Sequence, residues 1–161
     1  MDLGCAPGSW MQYAATKVGD RGRVLGYDLK PVEAALPPQA EARVGDIYEL
    51  DPEQVQGPFD TVVSDMAPAT MGDHKTDAIR SAALAEAALD LADRFVVRGG
   101  NVVVKVLEGG EVPGIVNRMR KSYRKVERLR PKATRQKSTE IFLIGLGRLD
   151  SGNDGKDPRC P

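Results

Sequence analysis

The chain has 161 residues, enough for one domain with its own hydrophobic core. Its 41% hydrophobic and 29% charged residues are typical of a soluble globular protein, and we expect neither a membrane span nor a signal peptide. The two cysteines, Cys5 and Cys160, are too few and too badly placed for a disulfide framework or a zinc site. A reducing, cytoplasmic setting is therefore expected.

The net charge is zero, but the basic residues are concentrated in one part of the chain. Between Asn117 and Lys137 there are ten Lys or Arg residues and one acidic residue, Glu127, which gives this stretch a net charge of +9. This asymmetry favours a polyanion such as a nucleic acid as the partner. A solvated helix and strand surface is the alternative.

The stretch from Asp2 to Trp10 (DLGCAPGSW) predicts the end of a strand, a glycine turn and the start of a helix that continues to about Val18. Gly4 and Gly8 let the backbone come close to a ligand because neither has a Cβ. The turn has neither the G-x-G-x-x-G spacing nor the Gly-Lys-Ser/Thr of a phosphate loop. It therefore indicates a nucleotide-like ligand without a phosphate chain, with a plain strand–turn–helix as the alternative.

The next two predicted strands each end in an aspartate. Residues 23–28 predict a short buried strand, and Asp28 falls 24 residues after Gly4, near the spacing at which an acid accepts hydrogen bonds from ribose hydroxyls. Capping the next turn is the alternative role for Asp28. Residues 42–46 predict a third strand. Its Asp46 either accepts from the exocyclic amine of a base or caps a turn, and the sequence favours neither.

A fourth strand is predicted from Phe59 to Asp65, β-branched in its middle and carrying Asp65 at its carboxyl end. The longest helix is predicted from about Thr76 to Val97 and is expected to end at Gly99-Gly100. Four of its residues at helical spacing should pack on the sheet. They are Leu84, Ala88, Leu91 and Phe95.

The strand predicted from Asn101 to Val106 is nearly all β-branched, which is typical of a strand buried on both faces. Lys105 does not fit this pattern, because a buried lysine loses its hydration unless it faces a cleft and meets carboxylates. Lys105 is therefore the strongest single functional candidate, with a structural ion pair as the alternative.

The remaining elements complete an α/β pattern. They are a helix over 111–122, an edge strand over 125–129, a basic loop over 130–137 and a last strand over 141–145. From Asp150 onward the chain is nearly free of apolar residues, and we expect one domain over 1–148 and a disordered tail over 149–161.

Alternating strands and helices predict a mostly parallel, doubly wound sheet. In such a sheet the carboxyl ends of the strands meet at one rim, which places Asp28, Asp46, Asp65 and Lys105 together. Glu140 enters the last strand, and it reaches the same rim only if that strand runs antiparallel to the others.

Four elements together, DLGCAPGSW, SDMAP, VVVKV and STEIF, resemble the FtsJ/RrmJ (RlmE) family of ribosomal-RNA 2′-O-methyltransferases over about residues 2–148. The resemblance implies a Rossmann-like fold with an antiparallel last strand and S-adenosylmethionine as the cofactor. It also implies methylation of a ribose 2′-hydroxyl of 23S rRNA, with a uridine as the expected target. RNA, or the 50S subunit, would be bound by the stretch from Arg118 to Lys137, and the chain is expected to act as a monomer.

The resemblance also implies the cofactor contacts. Gly8 and Trp10 would line the methionine end, beside the close approach at Gly4. Asp28 would hold the ribose hydroxyls and Asp46 the adenine amine.

For catalysis the resemblance implies a set of three residues, Asp65, Lys105 and Glu140, with Asp65 also touching the cofactor. A ribose hydroxyl is a poor nucleophile, and a lysine held by two carboxylates can remove or orient its proton. The carboxylates favour the charged lysine and burial favours the neutral one, so the sequence leaves both a base and a positioning role open for Lys105. No metal is required.

The family has a second catalytic lysine ahead of the glycine turn, whereas this sequence starts one residue before Asp2. We expect an N-terminal truncation that shortens the first strand, weakens cofactor binding and leaves methylation low or absent. The alternative function is a non-catalytic, ribosome-associated RNA-binding protein with a vestigial cofactor pocket.

Overall fold

The computed structural model describes residues 1–131 and 139–149. These residues form a seven-stranded sheet and three helices. None of these helices is long and apolar enough to cross a membrane. In chain order the elements are β1 (Asp2–Leu3), α1 (Ser9–Val18), β2 (Val24–Asp28), β3 (Ala40–Val44), β4 (Phe59–Ser64), α2 (His74–Phe95), β5 (Val96–Leu107), α3 (Val112–Ser122), β6 (Tyr123–Leu129) and β7 (Glu140–Arg148).

The strand order is β3-β2-β1-β4-β5-β7-β6, and β7 runs antiparallel to both of its neighbours while the other pairs are parallel. The predicted α/β fold with an antiparallel last strand is confirmed. Glu140 lies opposite Leu107, two residues beyond Lys105 on β5. The reversal of β7 therefore brings Glu140 to the carboxyl rim of the parallel strands, as the sequence requires.

Strand β1 has only two residues, yet it lies at the centre of the sheet between β2 and β4. The N–H groups of Gly4 and Cys5 donate to the carbonyl of Tyr27 at 2.8 and 3.3 Å, and the N–H of Asp65 donates to the carbonyl of Leu3 at 3.1 Å. These bonds fix the glycine turn between the carboxyl ends of β2 and β4.

The predicted end of the long helix is wrong. Helix α2 ends at Phe95 and β5 begins at the next residue, so Gly99 and Gly100 lie within the strand. The pairing of β4 with β5 shifts register beside them, and a Cβ on Gly100 would lie 2.6 Å from the carbonyl oxygen of Asp60. The glycine pair therefore allows a strand irregularity and close strand packing, and it does not end a helix.

The buried face of α2 differs in part from the prediction. Ala88 and Phe95 are buried, but Leu84 and Leu91 are only partly buried. Most of the buried positions of α2 are small, which lets the helix lie close to the sheet. The full set of buried positions in α2 is Asp77, Ala78, Ser81, Ala82, Ala85, Ala88, Leu89, Ala92 and Phe95.

Strand β5 is not buried on both faces, contrary to the prediction. Val102, Val104 and Val106 are fully buried in the core that also contains α2 and α3, whereas alternate residues, including Lys105, are only partly buried. Lys105 therefore lies on the more open face of the sheet, which the sequence pattern alone does not reveal. The third strand is also displaced, to 40–44, so Asp46 follows the strand and does not end it.

Gly26 on β2 controls how closely α1 and the glycine turn pack on the sheet. A Cβ there would lie 2.6 Å from Sδ of Met11 and 2.8 Å from Sγ of Cys5. We predict that Gly26→Ala lowers the free energy of unfolding by about 1–3 kcal/mol through overpacking. Urea denaturation measures the change.

Gly114→Ala is the matched control. Gly114 lies in α3, and a Cβ on this residue would point into open space, so alanine should raise stability by about 0.5–1 kcal/mol. Equal effects of the two substitutions would contradict the packing argument.

Candidate active site

The glycine turn adopts backbone angles that favour glycine at both predicted positions. Gly4 has φ 79° and Gly8, the N-cap residue of α1, has φ 113°. A Cβ on Gly4 would lie 2.7 Å from Cγ of Met66, and one on Gly8 would lie 2.7 Å from Cγ1 of Val32. The turn is therefore closely packed against the loop after β4 and against the segment after β2.

Asp28 and Asp46 are both held by backbone N–H groups. The N–H of Ala6 donates to Oδ2 of Asp28 and the N–H of Lys30 donates to Oδ1, each at 2.9 Å. Oδ1 of Asp46 accepts from the N–H of Tyr48 at 3.0 Å, so Asp46 does cap a turn. Both carboxylates are thereby oriented before any ligand arrives.

These residues enclose a cleft of about 410 Å³ at the carboxyl ends of β1, β2 and β4. Asp28, Asp46 and Asp65 all lie on its wall, together with Gly4. The apolar part of the wall was not predicted from the sequence, although Leu29 directly follows Asp28 and Tyr48 lies two residues after Asp46. The complete wall consists of Gly4, Ala6, Tyr27, Asp28, Leu29, Lys30, Gly45, Asp46, Ile47, Tyr48, Asp65, Met66, Ala67 and Leu84.

Lys105 joins two carboxylates next to this cleft. Its Nζ lies 2.8 Å from Oδ1 of Asp65 and 3.6 Å from Oε1 of Glu140. The Lys105 side chain is only 11% exposed, whereas those of Asp65 and Glu140 are 35% and 41% exposed. A nearly buried cation thus faces two accessible carboxylates, one of which is also part of the cleft wall.

Gly8 and Trp10 are not among the residues that wall the cleft. Trp10 stacks on Phe142 of β7, with ring centroids 5.7 Å apart and an angle of 25° between the planes. Phe142 is paired directly with Lys105 across β5 and β7. The structure therefore places Trp10 on the Lys105 side of the site.

Asp2 was not singled out by the sequence analysis. Its side chain is 1% exposed, and neither carboxyl oxygen has a hydrogen-bond partner within the described ranges. The pKa of Asp2 is raised to about 7, chiefly because the carboxyl is buried; the Met1 ammonium lowers it, and the charges of Asp65 and Asp28 raise it. The signal was the position of Asp2 in a central strand, where no polar group is expected without a partner.

The basic stretch is divided between packing and surface roles. Arg118, the first residue of the predicted RNA-binding stretch, faces α2, where its guanidinium contacts Glu86, Asp90 at 2.6 Å and Asp93 at 2.7 Å. Including Arg118 in an RNA surface is therefore wrong, because its donors are used within the fold. The exposed cations of α3 and β6 are Arg120, Lys121, Arg124, Lys125 and Arg128, and residues 132–137 lie outside the described ranges.

The sheet order, the antiparallel β7 and the glycine turn between acidic strand ends define the Rossmann-like fold of S-adenosylmethionine-dependent methyltransferases. Human methyltransferase-like protein 13, solved with S-adenosylhomocysteine, has a similar fold, with a TM-score of 0.67 and 10% sequence identity. The superposition covers 98% of this chain and 74% of the human chain. A Plasmodium falciparum protein described as a candidate ribosomal RNA methyltransferase gives a TM-score of 0.78 at 22% identity, covering 92% and 85%.

The model of the FtsJ-like methyltransferases matches residues 1–148, and the chain belongs to that family. Two similar relatives, both named ribosomal RNA large subunit methyltransferase E, come from Desulforapulum autotrophicum and Bdellovibrio bacteriovorus. The first is 47% identical over 151 residues, covering 92% of this chain and 74% of the relative. The second is 43% identical over 154 residues, covering 92% and 78%.

The raised pKa of Asp2 predicts a pH-dependent stability. The folded chain holds this proton more tightly than the unfolded chain, so the contribution of Asp2 to the free energy of unfolding falls as the pH rises from 3.8 to about 7 and stays lower above that. Asp2→Asn should therefore stabilise the fold at pH 8, by up to about 4 kcal/mol, and change little at pH 4.

Urea titrations of both proteins at several pH values measure this difference. Asp20→Asn, at an exposed position, serves as the control and should leave the pH profile unchanged. A stability difference between Asp2→Asn and the unaltered chain that does not vary with pH would contradict the burial argument.

Arg118 should stabilise the packing of α3 on α2. We predict that Arg118→Ala lowers the free energy of unfolding by roughly 1–3 kcal/mol, because three neighbouring carboxylates lose their common partner. Arg120→Ala, at an exposed position two residues away, should change it by no more than about 0.5 kcal/mol. Thermal or urea unfolding measures both changes. Similar losses of stability in the two variants would contradict a stabilising role for the contacts between Arg118 and the three carboxylates.

Proposed function

We propose that the chain transfers a methyl group from S-adenosylmethionine to a ribose 2′-hydroxyl of 23S ribosomal RNA, with a uridine as the target. The observation that carries this proposal is the Lys105 ammonium held between Asp65 and Glu140 beside the cleft. Membership of the FtsJ-like methyltransferases and the names of the relatives support it.

The cleft suits the nucleoside part of S-adenosylmethionine. Its volume lies within the usual range for small-molecule sites. Asp28, oriented by two backbone N–H groups, has further lone pairs for the two ribose hydroxyls. Asp46 would accept from the adenine amine, with Ile47 and Tyr48 as the apolar wall beside the ring.

The methionine end would extend past Gly4 toward Gly8 and Trp10. Three aspartates on the wall favour a cationic ligand over a polyphosphate, because phosphates would be repelled there. The bound cofactor supplies an electrophilic methyl group on a positively charged sulfur.

The three catalytic residues would act on the hydroxyl. Asp65 and Lys105 orient the 2′-hydroxyl for in-line attack, and this positioning supplies much of the rate. As the new O–C bond forms and the C–S bond breaks, the hydroxyl proton passes to the Lys105–Asp65 pair and then to solvent. Glu140 holds Lys105 in place through its ion pair.

RNA would be bound by the exposed cations of α3 and β6, with an affinity that falls as the salt concentration rises. We further propose that residues 1–148 act as one catalytic domain and that the chain works as a monomer in the cytoplasm, on 23S rRNA or the 50S subunit.

The proposal predicts opposite phenotypes for two substitutions. Lys105→Ala should lower methyl transfer by about 10²- to 10⁴-fold, because no side chain then removes or orients the hydroxyl proton, while S-adenosylhomocysteine still binds. Asp28→Ala should abolish that binding because the ribose contacts are lost. Calorimetry measures binding, and radiolabelled methyl groups on 50S subunits from methylation-deficient cells measure transfer.

Lys105→Arg keeps the charge and separates the two roles left open for this residue: near-normal transfer indicates positioning, and loss indicates proton transfer. Normal transfer by Lys105→Ala would refute the mechanism. RNA and S-adenosylhomocysteine binding without any transfer, even by a chain extended with the family's lysine segment ahead of the glycine turn, would instead favour a non-catalytic RNA-binding protein.

A further inference from the structure

A second cavity, of about 400 Å³, lies between α3 and the edge strand β6, away from the cleft described above. Its apolar lining residues include Val112, Val116 and Val126, together with Pro113. Val112 is buried and the other two valines are partly buried against the core, so the floor is part of the folded structure. None of these residues serves the proposed methyl transfer.

The rim of this groove carries charged side chains of both signs. Arg128 contacts Glu108, whose second oxygen lies 3.5 Å from Nη2 of Arg130. Glu127 pairs with Lys125 at 2.6 Å. Arg120 adds a further exposed cation to the rim. Its guanidinium donates to the side-chain oxygen of Asn117 at 3.4 Å.

Of these six charged side chains, Glu108, Arg120, Glu127 and Arg128 line the groove and carry no net charge. Lys125 and Arg130 lie beside the groove, bound to the two glutamates, and bring the group to a net charge of +2. The two carboxylates hold guanidinium and ammonium groups in place at the edge of an apolar floor. Proteins that bind single-stranded nucleic acids place cations along the phosphates and side-chain surfaces, often aromatic, against the bases. Here the arginines would meet phosphates, and the apolar floor would be the surface against which a base packs.

The groove adjoins the catalytic rim. The N–H of Glu108 donates to the carbonyl of Thr139 at 2.8 Å, which joins the ends of β5 and β7. Glu108 is three residues after Lys105 on the chain, a distance of roughly 10 Å if extended, and Thr139 precedes Glu140. One RNA strand crossing this edge can therefore reach both the groove and Lys105.

We propose that this groove binds a nucleotide of the RNA substrate close to the nucleotide that is methylated, an inference that rests on the proposed function. The base lies against the valines, and its phosphates face Arg120, Arg128 and Arg130. Glu108 acts as a positioning residue that holds the two arginines of the rim.

Two substitutions on exposed residues of α3 test the groove. Asn117→Trp fills it with a large side chain, and Arg120→Glu reverses a charge at its rim. Arg94→Glu, exposed in the last turn of α2, is the matched charge reversal outside the groove. Urea titration of each variant confirms that folding is retained.

For both groove variants we expect the KM for 50S subunits, and the Kd for protein-free 23S rRNA, to rise by about 5- to 100-fold. The KM for S-adenosylmethionine and kcat should stay unchanged. For Arg120→Glu the slope of log Kd against log salt should also fall by about 0.7–0.9, the loss of one phosphate contact.

Groove variants that bind rRNA and turn over 50S subunits like the unaltered chain and Arg94→Glu would overturn the proposal. So would an effect on 50S subunits without an effect on protein-free rRNA, since the occupant would then be a ribosomal protein. Failure of the proposed function is a separate result: the unaltered chain transfers no methyl group, while the rRNA-binding comparison still tests the groove.

Discussion

The two-residue strand β1 holds the site together. Through Leu3, which is fully buried, and through the N–H groups of Gly4 and Cys5, it connects the ends of β2 and β4 on either side of one turn. The spacing between parallel strands, about 4.8 Å, then determines how far Asp28 lies from Asp65. The cleft is the gap that this arrangement leaves at the strand ends. Its geometry depends on backbone hydrogen bonds more than on any side-chain contact.

The carboxyl rim was predictable from the sequence because parallel strands place their ends together whatever their loops do. Asp65, Lys105 and Glu140 were brought together by that rule and by the required reversal of the last strand, and the structure confirms their proximity. The end of α2 was not predictable, because Gly99 suits a helix terminus and a strand irregularity equally well. Only the pairing of β4 with β5, which is remote in sequence, distinguishes the two.

Charge in the basic stretch could be counted from the sequence but not assigned to a surface. Arg118 and Arg120 are two residues apart and equally basic, yet one is held by three carboxylates of α2 and the other is exposed. Helical geometry places them about 200° apart around α3, so they face different surroundings. Asp2 was missed for a related reason: its burial depends on β2 and β4, the strands on either side of β1, which are remote in sequence.

Trp10 is the only tryptophan in the chain. It stacks on Phe142, which is paired across the sheet with Lys105. Indole emission responds to the polarity and charge of its surroundings, so the protein carries an intrinsic optical reporter beside Lys105, the residue proposed to be catalytic. Occupancy of this side of the site can be followed by fluorescence in the unlabelled chain, without any residue being replaced.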